Sequence, residues 1–274
     1  MLNGEGAFAF IMGIISGYPI GAKIAVNLRN TNTCSKEECE RLLSFTNNSG
    51  PLFIIGTVGI TMFGNIEIGL LLFTTHILAS LTVGFLFRFW NNKNRLKGSQ
   101  FKINNSRFKD TKNISSTTTA NIKNLGEIMA ESITSSIKTV LLIGGFIIVF
   151  SSVISIINSS GLIKIITVAL TPMFKAINLD ISFIQGIFTG ILELTNGLNL
   201  ICNVHVKALS TNILIASFLL GFGGLSIMLQ VLSIVSKSDL SCKPYIIGKI
   251  LQASFATFYT YILLNVLPFW NFDL

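Results

Sequence analysis

Three long apolar runs set the main constraint on how this chain can fold. They cover Ile66–Trp90, Thr139–Leu162 and Tyr245–Trp270, and each is long enough to cross a hydrocarbon core, which takes about 20 helical residues. Charged residues make up 12% of the 274 residues, against about 25% in a typical soluble chain. These features exclude a soluble enzyme, a secreted disulfide scaffold and a disordered protein. They indicate an integral membrane protein whose first partner is the lipid bilayer.

The formal net charge of +8 is concentrated in one stretch. Nine of the 20 basic residues lie between Arg88 and Lys123, together with a single acid, Asp110. The remaining eleven bases face eleven acids, so the rest of the chain is neutral. We interpret the basic stretch as a cytosolic segment that fixes membrane orientation, not as a nucleic-acid-binding surface.

The sequence offers little for metal or cofactor chemistry. The four cysteines have no C-x-x-C spacing and are interpreted as free thiols. The two histidines, His76 and His205, are interpreted as structural residues. We therefore expect no metal, no cofactor and no catalytic residue.

Glycine, proline and polar residues interrupt four other apolar segments. These are Phe8–Val26, Pro51–Gly64, Ile181–Ile201 and Leu209–Val235. In membrane proteins, non-helical backbone is tolerated only where protein or a water-filled cavity covers it, and paired broken segments point to a transporter's binding site. A further segment, 162–177, is predicted to be an interfacial amphipathic helix.

The broken segments belong to an internal repeat. Phe10–Gly17 matches Phe183–Gly190 with five identities in eight residues, at an offset of 173. Ser44–Ile60 and Ser217–Ser233 align at the same offset without a gap. Each repeat is then expected to contain a broken or re-entrant segment, a second broken segment and a full transmembrane helix.

The repeat divides the chain into three parts. We predict a membrane repeat over 1–90, a basic cytosolic linker over 91–135 and a second membrane repeat over 136–274. The span that begins near Lys138 has its counterpart before Met1. We therefore expect that the first repeat lacks its leading helices, either by loss or, as we favour, because the chain is a truncated version of a longer protein.

Charge distribution predicts that the two repeats are inserted in opposite directions. With the basic stretch inside, the span ending at Trp90 runs inward and the span starting at Thr139 runs outward. If Ile181–Ile201 is a re-entrant hairpin, Leu209–Val235 crosses inward and the last span leaves Asp273 outside. The predicted fold class is thus an all-α polytopic membrane protein with two inverted repeats.

Glu193 is the first candidate binding residue. It is the only acid in the apolar run from 181 to 201, and an acid at membrane depth is costly enough that it usually marks an ion or substrate path. The alternative is a carboxylate that a neighbour such as Asn196 satisfies. Thr195 and Asn196 are predicted to share its surroundings.

Lys23 ends the broken motif SGYPIGAK at 16–23. Gly17 and Pro19 interrupt the segment just before it, and exposed backbone N–H groups beside a cation suit an anionic substrate. With equal weight, Lys23 is a positively charged anchor at the interface.

The polar turn Asn47–Pro51 and the GFGG sequence at 221–224 occupy matching repeat positions. Either they are ordinary loops or, as we favour, they form a substrate gate. The full set of predicted substrate-binding residues is Ser16, Tyr18, Lys23, Asn47, Asn48, Ser49, Thr189, Glu193, Thr195, Asn196 and Gln230.

Five motifs together resemble a known family. They are GEGAF at 4–8, SGYPIGAK at 16–23, FTNNSGPLFIIGTVG at 45–59, TGILELTNGL at 189–198 and FGGLSIMLQ at 222–230. This set resembles the YlbJ-type sporulation integral membrane proteins, within the group that carries the nucleoside-recognition or Gate domain. The resemblance spans nearly the whole chain except the 91–135 linker, and members of the family carry additional N-terminal helices.

The resemblance implies a role in endospore formation. It implies that the protein carries dipicolinic acid, a small organic dianion, across the outer forespore membrane from the mother cell. One alternative is transport of a nucleoside or another organic acid, and another is a non-transporting membrane scaffold that uses the basic linker as its contact. An enzyme is the least favoured interpretation, nucleic acid is not expected as a partner, and a homo-oligomer is compatible with the sequence.

Overall fold

The computed structural model of the protein describes residues 4–88, 122–176, 179–205 and 209–266. In these ranges the regular structure is helical, which confirms the all-α polytopic class. Four of the described helical segments are long and apolar enough to cross a membrane: Ile66–Phe87, Leu125–Ser159, Leu209–Val235 and Lys243–Asn265. Asp273 and most of the predicted linker lie outside the described residues.

The first repeat consists of five helices. They are α1 (Gly4–Ser16), α2 (Ile20–Asn30), α3 (Lys36–Thr46), α4 (Leu52–Met62) and α5 (Ile66–Phe87). Reciprocal hydrogen bonds between Ser35 and Glu38 form a capping box that starts α3. The Asn65 side chain accepts from the Glu67 N–H and starts α5. Helix α4 is a π-helix, with backbone bonds that are one residue longer than in an α-helix.

The second half begins with two helices that precede the repeat. Helix α6 (Ile122–Ser159) has 38 residues, about 57 Å at 1.5 Å per residue, and is therefore longer than a hydrocarbon core. Helix α7 (Leu162–Ala176) coincides with the predicted amphipathic segment, whose interfacial position stays a prediction. The repeat itself contains α8 (Phe183–Leu192), α9 (Leu194–Cys202), α10 (Leu209–Phe222), α11 (Gly224–Val235) and α12 (Lys243–Val266).

One predicted interruption lies elsewhere. The sequence places a break within Pro51–Gly64, at its glycines, but α4 is continuous over most of that segment. The break is at 47–51, between α3 and α4. The glycines serve packing instead: a Cβ on Gly59 would lie 2.5 Å from the Cα of Gly69, so α4 and α5 touch through their backbones.

One helix boundary repeats at the offset found in the sequence. Helices α4 and α11 end at 62 and 235, which are 173 positions apart. In the described residues, each repeat contains a helical hairpin, a discontinuous helix with a break in its middle and one long helix.

Packing between the repeats is reciprocal. Helix α3 packs against α12, and its counterpart α10 packs against α5. Helix α2 packs against α11, and its counterpart α9 packs against α4. The long helices α5 and α12 pack against each other. This pattern is that of an approximate two-fold relation between the repeats, while their opposite insertion in the membrane stays a prediction.

Glycines hold the two hairpins closed. A Cβ on Gly197 of α9 would overlap the Cα of Gly190 on α8, and a Cβ on Gly13 of α1 would lie 3.5 Å from the Cα of Gly21 on α2. Helix α8 has ten residues, about 15 Å, which is half of a hydrocarbon core of about 30 Å. The α8–α9 hairpin therefore has the dimensions of a re-entrant segment.

Replacing Gly197 with alanine should separate the arms of the α8–α9 hairpin. Because the added methyl group meets backbone atoms that cannot move aside, we expect a destabilisation of about 1–3 kcal/mol, seen as a lower midpoint of thermal unfolding in detergent. Gly144 of α6 is the matched control, since a Cβ there has no neighbouring atom within 4 Å. Equal midpoints for the two variants would contradict the backbone contact.

Opposite insertion of the repeats can be tested by labelling. Helices α5 and α12 are repeat counterparts, so Glu67 and Asn265 should both be outside and Lys243 inside. In a cysteine-free background, we expect a membrane-impermeant maleimide added to intact cells to label Glu67→Cys and Asn265→Cys but not Lys243→Cys. If Glu67→Cys is labelled but Asn265→Cys is not, the long helices α5 and α12 run in the same direction.

Candidate functional site

Three helix interruptions line one cavity. They are the hairpin tips at Gly17–Tyr18 and Glu193, one from each repeat, and the break at Ser49–Gly50. The break at Gly223 lies next to Tyr18. A Cβ on Gly17 would lie 2.9 Å from the Gly50 nitrogen, so these two breaks are in direct backbone contact. A Cβ on Gly223 would lie 3.2 Å from the Tyr18 hydroxyl, which brings the fourth break to the first.

The cavity has a volume of about 350 Å³, at the lower end of the range for small-molecule sites, which is roughly 300–1,000 Å³. Its walls are mostly apolar, with a small number of polar groups. The lining residues are Ile15, Ser16, Gly17, Tyr18, Ser49, Gly50, Leu52, Phe53, Ile143, Ile147, Glu193, Leu194, Thr195, Ser226, Ile227 and Gln230. A few polar groups in an apolar chamber are typical of a site that orients one small ligand.

Glu193 connects the two arms of the second hairpin. Its side chain accepts hydrogen bonds from the backbone N–H groups of Thr195 at 3.0 Å and Asn196 at 2.8 Å, which caps α9. The residue is 3% exposed. The carboxylate is therefore held in place by α9 and faces the cavity. Glu193 is both a helix cap and a cavity-lining residue.

Two helix N-termini reach the cavity without such a cap. Helices α4 and α11 are repeat counterparts, and no side chain caps either one. Residues of their first turns, Leu52 in α4 and Ser226 in α11, line the cavity. Ser226 Oγ and Gln230 Oε1 are buried and have no hydrogen-bond partner in the described part of the chain. The arrangement leaves backbone and side-chain groups available to a polar ligand.

Helix α6 forms a wall of the cavity along one face. Ile143 and Ile147 line the cavity, and a hydrogen bond lies one turn beyond each of them. Lys23 of α2 donates to Thr139 Oγ1, and Asn196 of α9 donates to Ser151 Oγ at 2.9 Å. Lys23 and Asn196 occupy equivalent repeat positions, 173 apart, so α6 is attached to the same point of each hairpin.

Two further cavities, together called the basic vestibule, adjoin the central cavity on one side. A second cavity of about 610 Å³ shares Ser16 and Tyr18 with the central one, and a third of about 750 Å³ shares Lys23 and Thr139 with the second. The third cavity is also lined by other charged residues, namely Lys138, Lys237 and Glu131. The Lys23–Thr139 hydrogen bond lies where these two outer cavities meet.

The same side of the molecule carries an exposed ion pair. Arg29, in the last turn of α2, donates two hydrogen bonds of 2.8 Å to the carboxylate of Asp239, between α11 and α12. This pairing raises the pKa of the Arg29 guanidinium and lowers the pKa of the Asp239 carboxyl. Because both side chains are solvent-exposed, the pair adds little stability and mainly positions the two loops.

Six of the predicted binding residues line the central cavity: Ser16, Tyr18, Ser49, Glu193, Thr195 and Gln230. The other five do not. Lys23 and Asn196 bind α6, the Asn48 amide contacts Ser80 and Gln252, Asn47 accepts from the Ala22 N–H, and Thr189 is buried in α8. In this structure Lys23 therefore lines the vestibule and is hydrogen-bonded to α6, and it does not line the central cavity.

Sequence reasoning missed a buried basic residue behind the cavity. Lys249 of α12 is 1% exposed, and its ammonium donates to the Tyr18 hydroxyl at 2.9 Å. The signal was available, since Lys249 is the one charged residue in the apolar run from Tyr245 to Trp270. His76, interpreted from sequence as structural, lies in the same network, 3.3 Å from the Gln252 amide nitrogen.

Removing the hydrogen bond between Lys23 and Thr139 should make α6 move away from the cavity more readily. With Lys23→Met in a cysteine-free background, we expect Ile143→Cys to react with a small thiol reagent faster by roughly three- to tenfold, the factor that about 1 kcal/mol of lost hydrogen bonding gives. Lys138→Met is the matched control, because Lys138 lines the same vestibule. Equal rates in the Lys23→Met and control proteins would show that the hydrogen bond does not hold α6.

Comparison with known proteins gives one similar relative. The chain is 36% identical over 266 residues to the sporulation integral membrane protein YlbJ of Bacillus subtilis (strain 168). The alignment covers 95% of this chain and 64% of YlbJ, so the chain spans a little under two thirds of that protein. No family model and no solved structure matches the chain. The similarity supports the resemblance to YlbJ-type proteins and, with the four candidate spans, establishes that the chain is an integral membrane protein.

Proposed function

We propose that this protein is a membrane transporter, not an enzyme, and that its cargo is a small organic dianion. Dipicolinate, carried across the outer forespore membrane from the mother cell during endospore formation, is the cargo we favour. The sporulation role rests on the similarity to YlbJ, and the identity of the cargo rests on the resemblance to the YlbJ-type and Gate-domain proteins. The central cavity is the proposed binding site.

The observation that carries this proposal is the meeting of two uncapped helix N-termini at the cavity. A helix N-terminus carries roughly half a positive charge and unpaired N–H groups, and so favours anions. Helices α4 and α11 both begin at the cavity, one from each repeat. Beside α11, the Ser226 hydroxyl has no partner among the described residues and can donate a hydrogen bond. In α4 the Phe53 and Ile54 N–H groups already donate to the Gly50 carbonyl. A planar dicarboxylate would therefore be stabilised by the dipoles of both helices and by the Ser226 hydroxyl of α11.

The arrangement of the helices fits alternating access. In transporters built from inverted repeats, discontinuous helices and re-entrant hairpins meet near the membrane midplane, and the two repeats move against each other. Here both hairpins and both discontinuous helices adjoin one chamber. The Lys23–Thr139 and Asn196–Ser151 hydrogen bonds lie on opposite sides of it along α6. Breaking one while keeping the other would open the chamber to a single side.

Glu193 is assigned to coupling or gating. A carboxylate that faces the cavity repels an anionic cargo, so it does not serve as a ligand for one. Its two hydrogen bonds to α9 instead place it where a cation or proton that accompanies the cargo would be held.

A second candidate cargo is a nucleoside. The observation that favours it is the same Glu193 carboxylate, since a buried acid in a mostly apolar cavity can accept hydrogen bonds from ribose hydroxyls, as acids do in dinucleotide sites. An amide such as Gln230 would then face the base. Binding of uridine by a protein that ignores dipicolinate would favour this alternative.

Transport should be measured with the purified protein in proteoliposomes. We expect saturable uptake of labelled dipicolinate, and we expect Glu193→Gln to lower it at least about tenfold, as for charged groups at membrane depth, while equilibrium binding of dipicolinate changes less than about threefold. Glu127→Gln, on the exposed beginning of α6, is the matched control and should transport normally. Absence of dipicolinate uptake by the unaltered protein would refute the proposed cargo.

A further inference from the structure

A buried lysine lies one side chain away from the cavity. Lys249 lies in the second turn of α12 and is 1% exposed. Its ammonium donates to the Tyr18 hydroxyl at 2.9 Å, to Gln252 Oε1 at 2.9 Å and to the Asn47 carbonyl at 3.4 Å. The only salt bridge among the described residues joins Arg29 and Asp239, so no described carboxylate neutralises Lys249.

The hydrogen bonds of Lys249 fix the direction of the bond to Tyr18. An ammonium has three donors and no acceptor, and all three donors are used. The Tyr18 oxygen must therefore accept from Lys249, which leaves the Tyr18 hydroxyl proton to be donated elsewhere. Tyr18 lines the cavity together with Ser49, whose hydroxyl oxygen has no hydrogen-bond partner among the described residues. The Tyr18 hydroxyl can therefore donate to a ligand in the cavity, and the Lys249 ammonium behind it polarises this O–H group.

The rest of the network adds no second charge. Because Gln252 Oε1 accepts from Lys249, its amide nitrogen donates to Asn48 Oδ1 at 2.8 Å and to His76 Nε2 at 3.3 Å. His76 Nε2 also accepts from the Ser49 N–H at 3.3 Å. A ring nitrogen that accepts carries no proton, so His76 is neutral, with its proton on Nδ1. Lys249 is the single charge of this network.

A single buried cation in a membrane-spanning helix is unfavourable unless an anion compensates it. Glu193 is committed to the α9 N-terminus through two hydrogen bonds. We propose that Lys249, acting through Tyr18, is the positively charged group that selects an organic dicarboxylate over an uncharged ligand in the cavity. This rests on the proposed function and deepens it by assigning the group that recognises the charge of the cargo. Lys249 is a positioning residue, and Tyr18 makes the contact.

The test compares a charged ligand with an uncharged one of the same shape. The full chain in lipid nanodiscs is titrated calorimetrically with dipicolinate and with pyridine-2,6-dicarboxamide, its neutral analogue. We expect Lys249→Gln to weaken dipicolinate binding about tenfold or more, as loss of a charge-assisted contact does, and to leave the diamide unchanged. Lys249→Arg should restore dipicolinate binding. Lys243→Gln, exposed at the start of the same helix, should match the unaltered protein.

Other outcomes separate this inference from the proposed function. Unchanged dipicolinate binding in Lys249→Gln, or an equal loss for both ligands, overturns the charge-recognition role while transport of a dianion stands. Absence of dianion binding by the unaltered protein overturns both. If Lys249→Gln does not fold, the Tyr18→Phe variant provides the test, because it keeps the lysine but removes the polarised hydroxyl. We expect it to weaken the binding of dipicolinate and not that of the diamide. Equal affinities for dipicolinate before and after this change refute the role.

Discussion

Backbone groups cannot be left unpaired in a bilayer, and this requirement governs the rest of the structure. Every interruption of a membrane helix frees N–H and C=O groups, which only protein or an internal cavity can accommodate. Among the described residues, the breaks at Gly17–Tyr18, Ser49–Gly50 and Glu193 line a single chamber, and the break at Gly223 lies next to Tyr18. Glycines such as Gly17 and Gly50 make this possible, because their backbones can touch. The site is thus a direct consequence of where the helices break.

Much of the architecture could be predicted from the sequence, because it depends on apolar length and on an internal repeat. The offset of 173 agrees with the ends of α4 and α11 at 62 and 235, and the isolated Glu193 anticipated a cavity residue. The interruption expected at the glycines within Pro51–Gly64 was misplaced, because glycine in a membrane helix signals either a break or a close helix contact. Gly59 makes such a contact with α5, and composition alone does not separate the two cases.

The polar network behind the cavity was beyond sequence reasoning for a different reason. Lys249, Gln252 and Asn48 are separated by up to 204 positions in the chain, and only packing of α12 against α3 brings them together. Lys23 attracted attention because it follows a broken motif, whereas Lys249 was overlooked because the apolar span around it is otherwise uninterrupted. Exposed motifs identify where a chain bends, but the partners of a buried charge are set by three-dimensional packing.

The two repeats no longer carry the same side chains at corresponding positions. His76 corresponds to Lys249, Ser80 to Ala253 and Asn48 to Gly221, each 173 positions apart. A duplicated scaffold with identical halves has two end states of equal energy, because exchanging the halves converts one state into the other. Unequal side chains remove that degeneracy. Divergence after duplication thereby gives such a molecule a preferred resting conformation, and with it an intrinsic direction that a symmetric ancestor would lack.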